Sequence, residues 1–82
     1  MDNQELIAKL KIIVKPYIQN EEAFQGLNEE TRFIEDLKIN SANLVDVILD
    51  VEDEFDIEIE DNEMEQMLDV KTSMSIISKK IT

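Results

Sequence analysis

Few residues in this 82-residue chain could do chemistry, because it contains neither histidine nor cysteine. Histidine is the usual general base near neutral pH and the commonest ligand of transition metals. Ser-His-Asp and Cys-His nucleophile systems therefore cannot form, and neither can disulfides or thiolate metal sites. We predict that the chain is not an enzyme and has no catalytic residue and no metal site. The one serine of interest, Ser41, stands at the start of an apolar-periodic segment with no partner to activate it.

The abundant carboxylates raise the alternative of a calcium site. An EF-hand loop needs glycine at its sixth position and glutamate at its twelfth. Counted from Asp50, the sixth residue is Phe55, and counted from Asp56 it is Asp61. Neither register fits, so we predict no EF-hand, and weak non-specific binding of divalent cations is the alternative that stays open.

The acidic residues are concentrated in one block. Residues 39–70 contain 12 Asp and Glu and no Lys or Arg, whereas the rest of the chain has 8 acids and 8 bases, so the net charge of −12 lies in this block. Such a field repels nucleic acid and anionic membranes and attracts basic protein surfaces. A solvated face kept for solubility is the alternative, but one contiguous block favours a docking surface. We predict protein partners and no nucleic acid.

The composition predicts one all-α domain over residues 1–82. The chain has a single glycine and a single proline, and its only alternating segment, residues 55–60, has no second strand to pair with. No apolar run is long enough to cross a membrane, and the N-terminus lacks the features of a signal peptide. We expect a cytoplasmic monomer that does not insert into membranes.

The first half of the chain predicts one helix and a long loop. Apolar residues at helical spacing predict a helix over 3–18, capped by Asp2 or Asn3, that ends near Val14 or kinks at Pro16. Residues 19–40 are polar around their glycine and predict a long loop. The apolar residues expected to anchor this loop on the core are Phe33, Ile34 and Leu37.

The second half predicts the remaining helices. Residues 41–55 predict the clearest helix, with Asn40 as its N-cap and Ser41 in its first turn. Its apolar arc comprises Leu44, Val45, Val47, Ile48, Val51 and Phe55, with Leu49 at the edge.

Beyond an extended segment, residues 60–68 predict a short helix, and Asp69 is expected to cap a last helix over 70–81. The apolar residues that the short helix is expected to present are Met64, Met67 and Leu68, and those that the last helix turns inward are Val70, Met74, Ile77 and Ile81. The predicted architecture is a four-helix bundle of three longer helices and one short helix, with a long loop after the first.

Residues 33–61, "FIEDLKINSANLVDVILDVEDEFDIEIED", resemble the core of the acyl carrier proteins. That family has an F-x-x-D-L loop end, an Asp-Ser-Leu at a helix start, and an E-x-E-F run before I-x-D. Here Phe33, Asp36 and Leu37 match the first element, and Ser41 falls on the modified serine. The residues that complete the register are Glu54, Phe55, Ile59 and Asp61. The expected helix order also agrees over almost the whole chain.

The resemblance implies that a phosphopantetheinyl transferase attaches 4′-phosphopantetheine from coenzyme A to Ser41. Acyl intermediates would travel as thioesters on this arm between acyl-transferring and ketosynthase-type enzymes of fatty-acid, polyketide or polyene-type biosynthesis. The positions implied to dock the basic surfaces of these enzymes are Asp46, Glu52 and Asp53. Asp50, on the same acidic face of the helix, is predicted to dock with them. A phosphodiester also suits a helix N-terminus, where the dipole favours negative charge.

Two departures from the family lie beside the serine. Asn40 replaces the usual Asp, and Ala42 replaces the usual Leu. Because Asn caps helices as well as Asp, the fold is not affected. The missing Leu removes an apolar contact for partners, which favours a specialised pathway. The alternative function is an unmodified, carrier-like interaction domain that uses the same acidic face, with Ser41 as a residue of the helix start only.

Overall fold

The computed structural model describes residues 2–81, and the regular secondary structure of this part of the chain is helical. This confirms the predicted all-α fold. The helices, in chain order, are α1 (Asn3–Val14), a 3₁₀-helix (Lys15–Tyr17), α2 (Glu21–Gln25), α3 (Ser41–Phe55), α4 (Asp61–Met64) and α5 (Val70–Ile81).

Helix α1 ends where the proline predicts. The Asp2 side chain caps its start by accepting a hydrogen bond from the Glu5 N–H, and the helix ends at Val14. Pro16 has no N–H to continue the α-helical ladder, and the chain goes on as one 3₁₀ turn that can hold it. The inward positions, Leu6, Leu10 and Val14, are fully buried.

The long connection contains a helix that the sequence prediction missed. Residues 21–25 form α2, which Asn20 caps by accepting a hydrogen bond from the Ala23 N–H and which Gly26 ends. Phe24 of α2 packs against the core and carries the Lys11 ammonium over its ring. Five residues are too few for an apolar periodicity to show, so α2 depends on its cap and on this packing.

Two of the three predicted loop anchors are confirmed. Phe33 and Leu37 are buried, but Ile34 is 39% exposed and does not reach the core. The backbone of the loop decides this difference, because the Phe33 N–H donates to the Leu68 carbonyl and Arg32 pairs with Asp69 in an antiparallel bridge. This pairing turns Phe33 inward and leaves its neighbour on the outer side.

Helix α3 has the bounds that were predicted, from its Asn40 cap to Phe55. Asp56 ends it in the left-handed conformation, with φ of 53°. The prediction was wrong for Val45, which was placed on the apolar arc but is 46% exposed. Leu49, placed at the edge, is 53% exposed. The face buried against the rest of the fold is therefore narrower than the apolar arc.

After an extended segment, α4 and α5 complete the fold. The short helix predicted over 60–68 is shorter than expected, because α4 ends at Met64 and Met67 and Leu68 follow it. Met67 is buried and Leu68 is exposed. Asp69 caps α5 as predicted, since its Oδ1 accepts the Thr72 N–H at 2.7 Å. Helix α5 contributes Val70, Met74 and Ile77 to the core as predicted, Ile81 is half-buried, and Ser73 and Ile76 are also buried.

One apolar core lies between α1, α3 and α5. Its buried side chains are Leu6, Leu10, Val14, Phe33, Leu37, Ile39, Leu44, Val47, Ile48, Val51, Ile59, Met67, Val70, Met74, Ile76 and Ile77. Burying a side chain of this size is worth about 1.5–3 kcal/mol. Because the loop before α3 contributes three of these residues, the core also holds the start of α3 in place.

Candidate functional site

Ser41 is the first residue of α3, and its side chain is exposed. Asn40 sets this position, because its side-chain oxygen accepts the Ala42 N–H at 2.9 Å and its carbonyl accepts the N–H groups of Asn43 and Leu44. A capping residue with two kinds of acceptor defines where a helix starts. The hydroxyl of Ser41 is therefore presented to solvent at a fixed end of the longest helix described.

The loop that leads to Ser41 is fastened to the core. Ile39 is buried, and its N–H donates to the Phe33 carbonyl at 3.1 Å. Lys38 before it adopts a positive φ of 59°, which turns the chain sharply between two buried residues, Leu37 and Ile39. Ser41 follows Ile39 by two residues, so the core restricts where it can lie.

The surroundings of Ser41 suit a covalently attached phosphate. The first turn of α3 contains no acidic residue. The carboxylate that follows first, Asp46, is five positions along, or about 7.5 Å of helix rise. The positive end of the helix dipole favours an anion at this point. The residues present therefore fit a 4′-phosphopantetheine group held through the Ser41 oxygen.

Three of the four predicted docking residues project from α3 into solvent. Asp46, Asp50 and Asp53 are all exposed. Asp50 also accepts a hydrogen bond from the Tyr17 hydroxyl at 3.0 Å, and this bond raises the pKa of Tyr17 above its ordinary value. Tyr17 thereby joins the turn after α1 to the acidic side of α3.

Glu52 occupies a different environment from the other three. It is half-buried, and its Oε2 accepts the Ile59 N–H at 2.7 Å. Its backbone carbonyl also accepts the N–H groups of Asp56 and Ile57. Glu52 thus holds the segment that follows α3 against the helix, a structural task that the sequence did not reveal.

Two apolar residues, predicted on the apolar arc of α3 or at its edge, lie instead on the exposed acidic side of this helix. Val45 and Leu49 are exposed beside the carboxylates. Val45, Leu49 and Asp53 follow one another at four-residue spacing and form one ridge of the helix, and Asp46 lies three residues before Leu49. That spacing is the signal in the sequence that could have assigned both residues to the acidic side. Together, these residues form a surface that we call the docking face: Val45, Asp46, Leu49, Asp50 and Asp53.

Among residues 2–81, no group of three or more acidic side chains is arranged to hold a metal ion. No helix in this part of the chain is long and apolar enough to cross a membrane.

Comparisons with known proteins identify the family. None of the family models compared with the chain matches it. Individual proteins do: it is 39% identical over 80 residues to the acyl carrier protein of Buchnera aphidicola subsp. Acyrthosiphon pisum (strain APS), covering 98% of this chain and 95% of that protein. It is 32% identical over 78 residues to the acyl carrier protein of Thermotoga maritima, covering 95% and 94%. The chain belongs to the acyl carrier protein family.

A solved structure gives the same result. The crystal structure of the acyl carrier protein from Thermotoga maritima superposes with a TM-score of 0.75 at 30% identity, covering 95% of this chain and 88% of that chain. This confirms the resemblance carried by residues 33–61. Because acyl carrier proteins are carriers, this member of the family is not an enzyme.

Proposed function

We propose that residues 1–82 act as one carrier domain with 4′-phosphopantetheine attached to the Ser41 oxygen. Family membership supports an acyl-carrier role in general. The observation that carries the attachment site is the exposed Ser41 side chain at the start of α3, where no carboxylate shares the first turn. When bound, the group would supply a terminal thiol on which acyl groups travel as thioesters.

The residues of the chain explain why loading, the attachment of phosphopantetheine to Ser41, needs a second protein. The Ser41 oxygen would form a bond to phosphorus as the nucleotide part of coenzyme A leaves, and the hydroxyl must give up its proton. The chain contains no histidine, and no acidic side chain lies in the first turn of α3 to take that proton. We therefore assign the base to a phosphopantetheinyl transferase, while Asn40 and the loop anchored by Ile39 hold Ser41 in position.

Intact-mass spectrometry tests the assignment. The protein is incubated with coenzyme A and a broad-specificity transferase, beside Ser41→Ala and Ser75→Ala. Ser75 is the matched control, since it is an exposed serine on α5. We expect wild type and Ser75→Ala to gain one phosphopantetheine mass and Ser41→Ala to gain none. No gain in wild type, or an equal gain in Ser41→Ala, would favour the alternative of an unmodified interaction domain.

We further propose that the docking face binds basic surfaces of the transferase and of acyl-transferring and ketosynthase-type enzymes. Its exposed carboxylates supply charge, and Val45 and Leu49 supply apolar contacts. Such a mixture gives fast, steered and salt-sensitive encounters, which suits a carrier that visits several enzymes. Glu52 belongs to the same proposal, although its hydrogen bond to Ile59 ties its carboxylate to the chain itself.

The residues beside Ser41 support a specialised pathway, such as polyketide or polyene biosynthesis. Ala42 is exposed and presents only a methyl group where family members usually have Leu. A partner that grips this Leu would lose an apolar contact here. Replacing Ala42 with Leu is expected to increase the loading rate by a transferase of fatty-acid synthesis, and an unchanged rate would contradict this part of the proposal.

A further inference from the structure

A groove beside the docking face has an apolar wall with no role in the function proposed above, although it shares Asp50 and Asp53 with that face. It runs between α1 and α3, has a volume of about 320 Å³, and is lined by Ile12, Ile13, Pro16, Asp50, Asp53 and Glu54. One wall is therefore apolar and comes from α1 and the turn after it. The other wall is acidic and comes from the second half of α3.

Ile12 is the feature of this groove that the fold does not explain. Its side chain is 74% exposed, the largest value among the exposed large apolar residues of the described chain. The core uses Leu6, Leu10 and Val14 of α1, which lie on the inward side. A single exposed apolar residue is ordinary by itself. Ile12 differs because Ile13 and Pro16 extend it into an apolar wall directly opposite three carboxylates.

The carboxylates of the groove are only partly neutralised. Lys9 pairs with Glu54 at 3.3 Å, and the Tyr17 hydroxyl donates to Asp50. The Asp53 carboxylate has no hydrogen-bond or ion-pair partner within residues 2–81. An apolar wall facing excess negative charge is complementary to a segment that carries apolar and positively charged side chains on one face.

We propose that this groove docks a basic amphipathic helix of a partner protein. An apolar side chain of that helix packs on Ile12 and Ile13, and its Lys or Arg side chains pair with Asp53 and Glu54. Helix-in-groove recognition uses this combination of one apolar stripe and flanking charges.

The apolar wall of the groove, on α1, distinguishes this partner from the enzymes that act on Ser41. Asp50 lies nine residues beyond Ser41 and Glu54 thirteen, which corresponds to about 14 and 20 Å of helix rise. The apolar contacts are also different, Ile12 and Ile13 here but Val45 and Leu49 on the docking face. A partner in the groove therefore leaves Ser41 uncovered, although it would compete with an enzyme on the docking face for Asp50 and Asp53. The use of α1 takes this inference beyond the proposed function, and binding in the groove does not depend on modification of the serine.

A peptide titration followed by NMR tests the proposal. The probe is a synthetic amphipathic helix with leucine on one face and lysine on the other, added to the full ¹⁵N-labelled chain. A control peptide of equal charge has glutamine in place of leucine. We expect the leucine peptide to shift the amide signals of Ile12, Ile13 and Glu54 most strongly, and the control peptide to produce no such preference.

Substitutions test whether the peptide binds in the groove or on the docking face. Ile12→Gln is expected to weaken binding of the leucine peptide by about fivefold or more, whereas Leu49→Gln, at a comparably exposed position on α3, leaves it unchanged. Equal affinity in Ile12→Gln, equal losses in both variants, or shifts centred on Val45 and Leu49 would each overturn the proposal. The Ser41→Ala chain must bind the peptide as wild type does, which keeps this outcome independent of the mass-spectrometric test.

Discussion

Phe33 and Ile34 are neighbours with similar hydropathy but opposite environments. Phe33 is 1% exposed and fills the space under the loop before α3, whereas Ile34 faces outward beside Arg32 and Leu68. The difference follows from the backbone bond between Phe33 and Leu68, which orients both side chains. Whether an apolar side chain of this loop is buried therefore depends on the hydrogen bonds of its backbone and not on the residue type.

The pair predicts a large contrast in stability. Phe33→Ala should lower the free energy of unfolding by about 3–5 kcal/mol, a large share of what a small domain possesses. Ile34→Ala should change it by no more than about 0.5 kcal/mol. Urea denaturation followed by circular dichroism measures both, and similar losses in the two variants would contradict the burial assigned here.

A second prediction concerns Asp69 and pH. Hydrogen bonds from Thr72 lower the pKa of the Asp69 carboxyl below its ordinary value, and the charges of Arg32 and Lys71 lower it further. A lowered pKa stabilises the fold above the ordinary value of about 4, and the stabilisation is lost as pH falls through the folded-state pKa. Asp69→Asn keeps a capping side chain but has no charge to titrate.

Asp69→Asn should therefore be less stable than wild type at pH 7 by about 0.3–1 kcal/mol. The difference should shrink as the pH is lowered towards 3. Unfolding free energies of both proteins across this pH range provide the measurement. A difference that does not depend on pH would show that the charge of Asp69 adds nothing to its capping hydrogen bond.

At the scale of elements, short segments are stabilised by single residues that accept more than one hydrogen bond. Helix α4 has four residues, and its Glu63 accepts hydrogen bonds from the Glu60 N–H and from the Lys80 ammonium, the latter at 2.8 Å. The Lys80 bond lowers the pKa of Glu63, and the same bond raises the pKa of Lys80. A helix of one turn is unstable alone, so this link to α5 positions it.

The segment between α3 and α4 depends on Glu52 in the same way. Glu52→Ala leaves the Ile59 N–H without its acceptor, and an unsatisfied amide in a buried position costs about 1–3 kcal/mol. Glu58→Ala, an exposed neighbour, is the matched control and should have little effect. Amide hydrogen exchange at Ile59 should be faster in Glu52→Ala only. Equal exchange rates in the two variants would show that the Glu52 side chain does not protect the Ile59 amide.

At the scale of the whole molecule, the negative charge is concentrated in one part of the chain. The net charge of −12 lies within residues 39–70, and Asp46, Asp50 and Glu54 follow one another at i, i+4 spacing on α3. Like charges at this spacing destabilise a helix by about 0.2–0.5 kcal/mol per pair. The fold tolerates this cost because the apolar face of α3 is buried in the core, where it packs against α1.

Neutralising part of this charge tests whether it speeds the association of the protein with a transferase. Asp46→Asn with Asp53→Asn should lower the rate of loading by a transferase at low salt by up to about tenfold, and by less at high salt. The control, Glu22→Gln with Glu30→Gln, removes the same net charge from exposed positions outside the acidic block. Equal slowing in both double variants would show that total charge matters and the docking face does not.

Local interactions explain how much of this structure could be predicted. The bounds of α3 and α5 follow from Asn40, Asp69 and the apolar spacing between them, because caps and helical periodicity act within a few residues. The register from Phe33 to Asp61 was enough to identify the family. The position of Ser41 in the first turn of α3 was predicted in the same way, because it depends on the helix start.

Tertiary contacts decided what these local rules could not. Helix α2 exists because Phe24 has a core to pack on, and Val45 is exposed because the rest of the fold covers only part of the apolar arc of α3. The groove beside Ile12 joins residues far apart in the chain, and the hydrogen bond from the Ile59 N–H to Glu52 reaches beyond the end of α3. A sequence gives helical faces and caps from short-range spacing, but which faces meet depends on long-range packing, and only the folded chain settles it.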